Sequence, residues 1–74
     1  SDRAQLRVGM VIAVPSHTHS RMGSIYGHIG IYVGRGQVRD NVGAVRDSPL
    51  DEWIRYYSTT EVVRWGYLLG IALA

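Results

Sequence analysis

The run from residue 28 to residue 33, His-Ile-Gly-Ile-Tyr-Val, constrains the fold of this chain most strongly. It is rich in β-branched and aromatic residues, which favour a β-strand. Gly34, Arg35 and Gly36 follow it, and residues 37–42 have the pattern of a strand that returns from a turn. The sequence therefore predicts a central β-hairpin.

Further short elements are predicted on both sides of this hairpin. Residues 8–14 form an apolar, β-rich run that ends at Pro15, and we expect a buried strand there. Residues 16–27 are rich in Ser, Gly and His without a period, which indicates a long loop. Residues 61–69 are expected to supply a further strand or pair of strands, and Val45 to start a short one.

Residues 48–51, Ser-Pro-Leu-Asp, carry the clearest local signal, which is that of a helix start. The hydroxyl group of Ser48 can cap a helix, and Pro49 suits the first helical position. Apolar residues then recur at i, i+3, i+4 and i+7, at Leu50, Trp53, Ile54 and Tyr57. The predicted fold class is mostly β (α+β), a small antiparallel sheet or half-open barrel of four to six strands with one short helix at about residues 49–57.

The length of 74 residues and the absence of cysteine limit the class of protein. A chain of this size forms one small domain, buries only about 60% of its unfolded surface and often needs a partner. No apolar run approaches the roughly 20 residues that span a bilayer, so we expect no membrane insertion. All eight basic residues are arginine and they do not cluster, which argues against nucleic acid as a partner.

His28 is the first candidate for chemistry, and the length of the hairpin turn decides its neighbours. A three-residue turn would place Tyr32 opposite Val38, and His28 would then share a face with Asp40. A two-residue turn would bring Asn41 to that face instead. In both cases a polar group that can accept an imidazole N–H lies near His28, although a structural histidine at a strand end has the same pattern. A base oriented by a third group is the arrangement of a hydrolase triad.

His17 and His19 lie in the predicted loop as an H-x-H pair. Two histidines are too few for a closed zinc site, and pairing with His28 would be needed to add a third nitrogen. We predict no metal and no cofactor, and favour a loop that is solvated or lines a substrate groove. Tyr26 and Tyr32 are the other candidates for substrate contact.

No nucleophile is evident in the chain. A Cys–His mechanism needs a thiolate, and there is no cysteine. The serines, of which Ser24 is nearest in sequence to His28, do not lie in a nucleophile elbow such as G-x-S-x-G. The isolated chain is therefore expected to be inactive as a hydrolase.

Residues 27–36, Gly-His-Ile-Gly-Ile-Tyr-Val-Gly-Arg-Gly, resemble the strand motif of NlpC-type and CHAP-type peptidoglycan hydrolases, which opens with the catalytic histidine. Residues 8–14 are similar to the strand that the family places before it, although Met10 replaces the usual Asp. Residues 48–53 resemble the short helix after the third strand, and residues 61–67 the strand that follows. The resemblance extends over most of the chain.

This resemblance implies that His28 is the general base and that Asp40, with Asn41 in reserve, orients its ring. It also implies a nucleophilic cysteine on a preceding helix. We therefore expect residues 1–74 to be a single small domain, the C-terminal fragment, natural or engineered, of a papain-like hydrolase. The parent protein would cleave amide bonds in peptidoglycan peptides, outside the cell, at the cell wall or in a phage particle.

In such a parent, the preceding helices would cover the sheet face that bears His28. Without them, exposed apolar area and open strand edges tend to find partners, so we predict self-association, including by strand exchange. Two other classes stay open. One is a small barrel that binds a peptide, a glycan or nucleic acid without catalysis, and the other is an engineered chain with a structural purpose only.

Overall fold

The computed structural model describes residues 3–67, which form a five-stranded antiparallel sheet, two α-helices and a short 3₁₀ helix at Arg3–Gln5. The strands are β1 (Val11–Val14), β2 (His28–Gly34), β3 (Gln37–Asn41), β4 (Val45–Pro49) and β5 (Arg64–Gly66), and the helices are α1 (Arg21–Tyr26) and α2 (Leu50–Tyr57). The strand order is β4-β3-β2-β1-β5, and every neighbouring pair is antiparallel. The predicted fold class, mostly β with a helix near residues 49–57, is confirmed.

The β2–β3 hairpin combines both turn geometries that the sequence allowed. The turn itself is Arg35-Gly36, and both residues have positive φ angles, 53° and 69°, as in a type I′ turn. A register shift between Tyr32 and Gly34 then adds one residue to β2, so that Tyr32 pairs with Val38. A two-residue turn followed by a β-bulge thus gives the side-chain parity predicted for a three-residue turn.

The hydrophobic core lies between α2 and one face of the sheet, which we call the inner face. Its buried side chains are Leu6, Ile12, Val14, Val38, Leu50, Trp53, Tyr57, Val63 and Trp65. The Val38 side chain packs over Gly30 of β2 because Gly30 has no side chain. A Cβ atom at Gly30 would lie 2.6 Å from Val38 Cγ1 and 3.5 Å from Trp53 Cζ2.

The stripe predicted for α2 is confirmed, since three of its four apolar side chains are buried and Ile54 is partly buried. The predicted hydroxyl cap by Ser48 is wrong. Ser48 and Pro49 still pair with β3, so β4 runs directly into α2, and no side chain caps the helix. The N–H group of Leu50 donates instead to the carbonyl oxygen of Gly36 at 2.7 Å. No helix within residues 3–67 is long and apolar enough to cross a membrane.

Other predicted boundaries need correction. The predicted loop at residues 16–27 contains α1, which begins after Ser20 because the Ser20 hydroxyl oxygen accepts a hydrogen bond from the N–H of Gly23 at 2.9 Å. Residues 8–10 and 61–63 lie outside the strands, so β1 and β5 are shorter than expected. Leu68 and Leu69 of the predicted last strand lie outside the described residues.

The opposite, outer face of the sheet carries apolar side chains with little cover. Ile29, Ile31 and Val45 are 57%, 39% and 67% exposed, and they border a shallow depression of about 390 Å³ together with Arg39. The expectation that the face bearing His28 lacks cover is therefore wrong. Helix α2 covers that face, and the uncovered apolar side chains lie on the other one.

Candidate functional site

His28, at the start of β2, and Asp40, near the end of β3, meet on the inner face. His28 Nε2 lies 2.8 Å from Asp40 Oδ2. Because an ionised carboxylate can only accept, Nε2 carries the proton, and Nδ1 of the neutral ring keeps its lone pair. Among residues 3–67, Nδ1 has no hydrogen-bond partner, and it is not fully buried because no fully buried polar side-chain atom lacks a partner. The ring is therefore held as a base with one open nitrogen.

The carboxylate of Asp40 has no exposed surface and accepts hydrogen bonds from three side chains. Trp53 Nε1 donates to Oδ2 at 2.9 Å, and Arg46 Nε donates to Oδ1 at 2.9 Å. Burial raises the pKa of Asp40, but the hydrogen bonds from Arg46, His28 and Trp53 outweigh it and hold the pKa below the usual 3.8. Asp40 is therefore ionised at neutral pH and rigidly placed behind His28.

Aromatic rings from α2 set the plane of the His28 imidazole. Tyr57 stacks on it at a centroid distance of 4.5 Å, and Trp53 lies nearly parallel to it at 5.7 Å. The Tyr57 hydroxyl oxygen accepts a hydrogen bond from Arg46 Nη2 at 3.0 Å. Arg46 thus connects the group that orients His28 with the ring that stacks on it.

The open side of His28 faces a groove of about 440 Å³ between α1, the loop before it and the end of α2. Three of the four predicted substrate-contact residues, His17, His19 and Tyr26, line this groove. Tyr26 is 74% exposed there. The structure thus brings most of the predicted site residues together around one opening.

His17 is the buried wall of this groove, with only 6% of its surface exposed. The backbone N–H of His17 donates to the Gly23 carbonyl oxygen at 3.1 Å, and the imidazole ring lies where a Cβ atom of Gly23 would be. His17 Nδ1 accepts a hydrogen bond from the N–H of His19 at 3.2 Å. Burial, and then the nearby His19 and His28, lower the pKa of His17 below 6.5, so the ring is neutral at pH 7.

The remainder of this loop is attached to α2 and the residues after it. His19 stacks on Tyr56 at a centroid distance of 3.7 Å, and its Nε2 donates to the Tyr56 carbonyl oxygen. The N–H of Thr18 donates to Thr59 Oγ1 at 3.0 Å. These contacts place the loop between the two helices, so the groove is bounded on both sides.

Two predicted site residues have other contacts. Tyr32 does not line the groove, because it packs against the core and its hydroxyl oxygen accepts from the N–H of Gly36 at 3.0 Å. Asn41 borders the groove, but its Oδ1 accepts from the N–H of Gly43 at 3.0 Å in the β3–β4 turn. The bulge in β2 puts Asp40, and not Asn41, beside His28, so the Asn41 alternative is wrong for the contact with His28.

Sequence reasoning missed Arg46, Trp53 and Gly23 as supports of the site. A signal existed for Arg46, since opposite charges on either side of the Gly43 turn are typical of a cross-strand pair, and Asp40 does pair with Arg46. No local signal indicates that the Trp53 indole reaches Asp40, because that contact depends on how α2 packs on the sheet.

Within residues 3–67, no group of three or more His, Asp or Glu side chains is placed to hold a metal ion. Comparisons of the chain with protein-family models, with curated proteins and with solved structures find no match. A proposal for function therefore depends on the geometry around His28.

Proposed function

We propose that this chain is the base-bearing part of a cysteine peptidase or amidase that acts on peptidoglycan peptides, as its NlpC-like and CHAP-like motif implies. The observation that carries the proposal is the His28 ring, which lines the groove and is bonded to Asp40 through Nε2 at 2.8 Å, while Nδ1 has no partner among residues 3–67. A general base must lie within about 2.6–3.2 Å of the group whose proton it takes, and an oriented ring nitrogen without a partner is free to receive such a group.

The nucleophile in this proposal is a thiol from outside these 74 residues, since the chain has no cysteine. Nδ1 of His28 takes the thiol proton as sulfur attacks the amide carbonyl carbon. The proton then passes to the leaving amine as the C–N bond breaks, and water hydrolyses the thioester. Asp40 stabilises the imidazolium without taking its proton, because the pKa of Asp40 is lowered.

The exposed apolar side chains around the groove support a site that a substrate or a further protein segment covers during the reaction. Met22, Tyr26 and Tyr56 line it and are 63%, 74% and 49% exposed. Apolar side chains clustered beside an open imidazole are typical of a surface that binds a peptide or a further protein segment.

An activated ester tests the base without the missing thiol. His28 Nδ1 should attack the carbonyl carbon of p-nitrophenyl acetate and release p-nitrophenolate, and water then hydrolyses the acetyl-imidazole. We expect His28→Gln to remove most of the protein-dependent release measured at 400 nm, since amide side chains are poor nucleophiles. The matched control is His19→Gln, because His19 is in the same groove but its Nε2 already donates to Tyr56. Equal losses in both variants, or none in His28→Gln, would contradict the proposal.

A binding module is the second candidate, and one observation favours it. Asp40 joins β3 to β4 and α2 through Arg46 and Trp53, so the His28–Asp40 pair also has a structural role. Binding of a cell-wall stem peptide or glycan with unchanged affinity in His28→Gln, together with no ester hydrolysis, would support a binding module over a hydrolase.

A further inference from the structure

We infer that His17 is a substrate-binding residue whose Nε2–H donates a hydrogen bond to the carbonyl oxygen of the amide that lies against His28. This inference rests on the proposed function, because it names the group that would hold the substrate carbonyl in the same groove. It depends on the hydrogen bonds of His17, its place in the groove and its distance from His28.

The hydrogen bonds of His17 define which ring nitrogen carries the proton. The backbone N–H of His19 lies 3.2 Å from His17 Nδ1 and can only donate, so His17 Nδ1 must accept. The single proton of the neutral ring is then on Nε2. Among residues 3–67, Nε2 has no hydrogen-bond partner, and it is not fully buried because no fully buried polar side-chain atom lacks one. Nε2 lies beside Gly23, where a Cβ atom would be only 2.2 Å away, and both residues line the groove. His17 therefore has a free N–H donor at the groove wall.

The two imidazole rings are close enough to contact the same amide group. The centroids of His17 and His28 lie 6.3 Å apart, and the rings are nearly perpendicular at 86°. A base acts on a nucleophile about 3 Å away, and a donor acts on the carbonyl oxygen at about the same distance. An amide that lies across the groove-facing edges of both rings would thus direct its oxygen to His17 and its carbon to the nucleophile beside His28.

Charge and packing keep this donor in place during the reaction. Burial lowers the pKa of His17, as do His19 and His28, so the ring remains a neutral donor when His28 takes a proton. The ring cannot move towards α1 because it already fills the space above Gly23. His19 is the weaker candidate, since its Nε2 already donates to the Tyr56 carbonyl oxygen.

The test uses NMR on the whole chain with ¹⁵N-labelled histidine at pH 7, where long-range ¹H–¹⁵N spectra identify the tautomer. We expect His17 in the Nε2–H form. Titration with the tetrapeptide L-Ala-γ-D-Glu-L-Lys-D-Ala should shift the His17 Nε2 resonance. A His17 ring in the Nδ1–H form, or the absence of any shift at His17, would overturn the inference.

Three variants separate the donor from the bulk of the ring. His17→Phe should weaken binding of the tetrapeptide about tenfold, as expected for loss of one hydrogen bond. His17→Gln should retain binding within about threefold, because its amide can accept from His19 and still donate to the substrate. Ile29→Ala, on the exposed outer face of the sheet and away from the groove, is the control, with little effect expected. Equal binding by the His17→Phe and His17→Gln variants would overturn the inference.

The outcomes also separate this inference from the proposed function. Failure of His28-dependent ester hydrolysis would count against the proposed function. A normal ester result with the Nδ1–H tautomer at His17 would leave the proposed function in place and overturn the donor role alone.

Discussion

The two faces of the sheet arise from the same alternation of residues along β2 and β3, yet one face is buried and the other is largely exposed. On the inner face, Val38 and Asp40 are buried beneath α2. On the outer face, Ile29 and Ile31 remain 57% and 39% exposed. The pattern of side chains allows either face to form a core. The position of α2 decided which face became the core and received the site.

Two ion pairs on adjacent rungs of the β3–β4 ladder make the comparison sharper. Asp40 pairs with Arg46 on the inner face, and Arg39 pairs with Asp47, in the opposite order, on the outer face. The side chain of Asp40 has no exposed surface, whereas that of Asp47 is 41% exposed. Two chemically alike pairs, one residue apart, thus differ mainly in their access to water, and only the inner one can orient His28.

The largest loss of stability is expected from Asp40→Asn. This variant keeps the shape of the side chain but removes the charge that Arg46, His28 and Trp53 all contact. Loss of one member of a buried ion pair costs about 3–5 kcal/mol, and we expect the lower end because Arg46 is partly exposed. Urea denaturation measures the free energy of unfolding. The matched control, Asp47→Asn, should change it little, and equal losses would show that the two faces do not differ as proposed.

A smaller loss is expected from Gly30→Ala. The added methyl group would lie 2.6 Å from Val38 Cγ1 and 3.2 Å from the Arg39 carbonyl oxygen, so the buried Val38 side chain must shift within the core. Overpacking of this kind costs about 1–3 kcal/mol. Thermal unfolding followed by circular dichroism measures the change, with Ile29→Ala on the exposed outer face as the control. Unchanged stability in Gly30→Ala would mean that the core around Val38 is not tightly packed.

Acid should remove the contribution of Asp40 to the stability of the fold. The folded pKa of Asp40 is lowered, so its stabilising effect is complete above the unfolded value of about 3.8 and is lost as pH falls through the folded pKa. The free energy of unfolding should therefore fall as the pH drops below about 3.8. Asp40→Asn should show a shallower fall. A wild-type curve that is flat in this range would contradict the ionised state assigned to Asp40.

The smallest effect on stability is expected on the outer face. Ile29→Thr and Ile31→Thr keep β-propensity and remove exposed apolar area, so each should change the free energy of unfolding by about 0.5 kcal/mol or less. We propose that this face mediates the self-association expected of the chain. Sedimentation velocity over a range of concentrations should then show less association in the double variant. A wild-type chain that stays monomeric throughout would remove that proposal.

Local pattern predicted much of the framework, because strands and helices leave short periodic signals. The central hairpin and the stripe Leu50, Trp53 and Tyr57 are examples. Helix α1 was missed although Met22, Ile25 and Tyr26 have helical spacing. Its apolar side chains are exposed and its buried residue is Gly23, the reverse of the usual amphipathic pattern.

The sequence by itself determined that His28 begins a strand and that a polar acceptor follows on the next one, because alternation and turn chemistry are local properties. Only the tertiary structure decided that the acceptor is Asp40, through a bulge in β2 that restores the parity of the hairpin. It also decided that Trp53 donates to Asp40 and that the ring of His17 faces His28. These contacts join residues far apart in the chain, so they depend on strand register and helix packing, which no local pattern encodes.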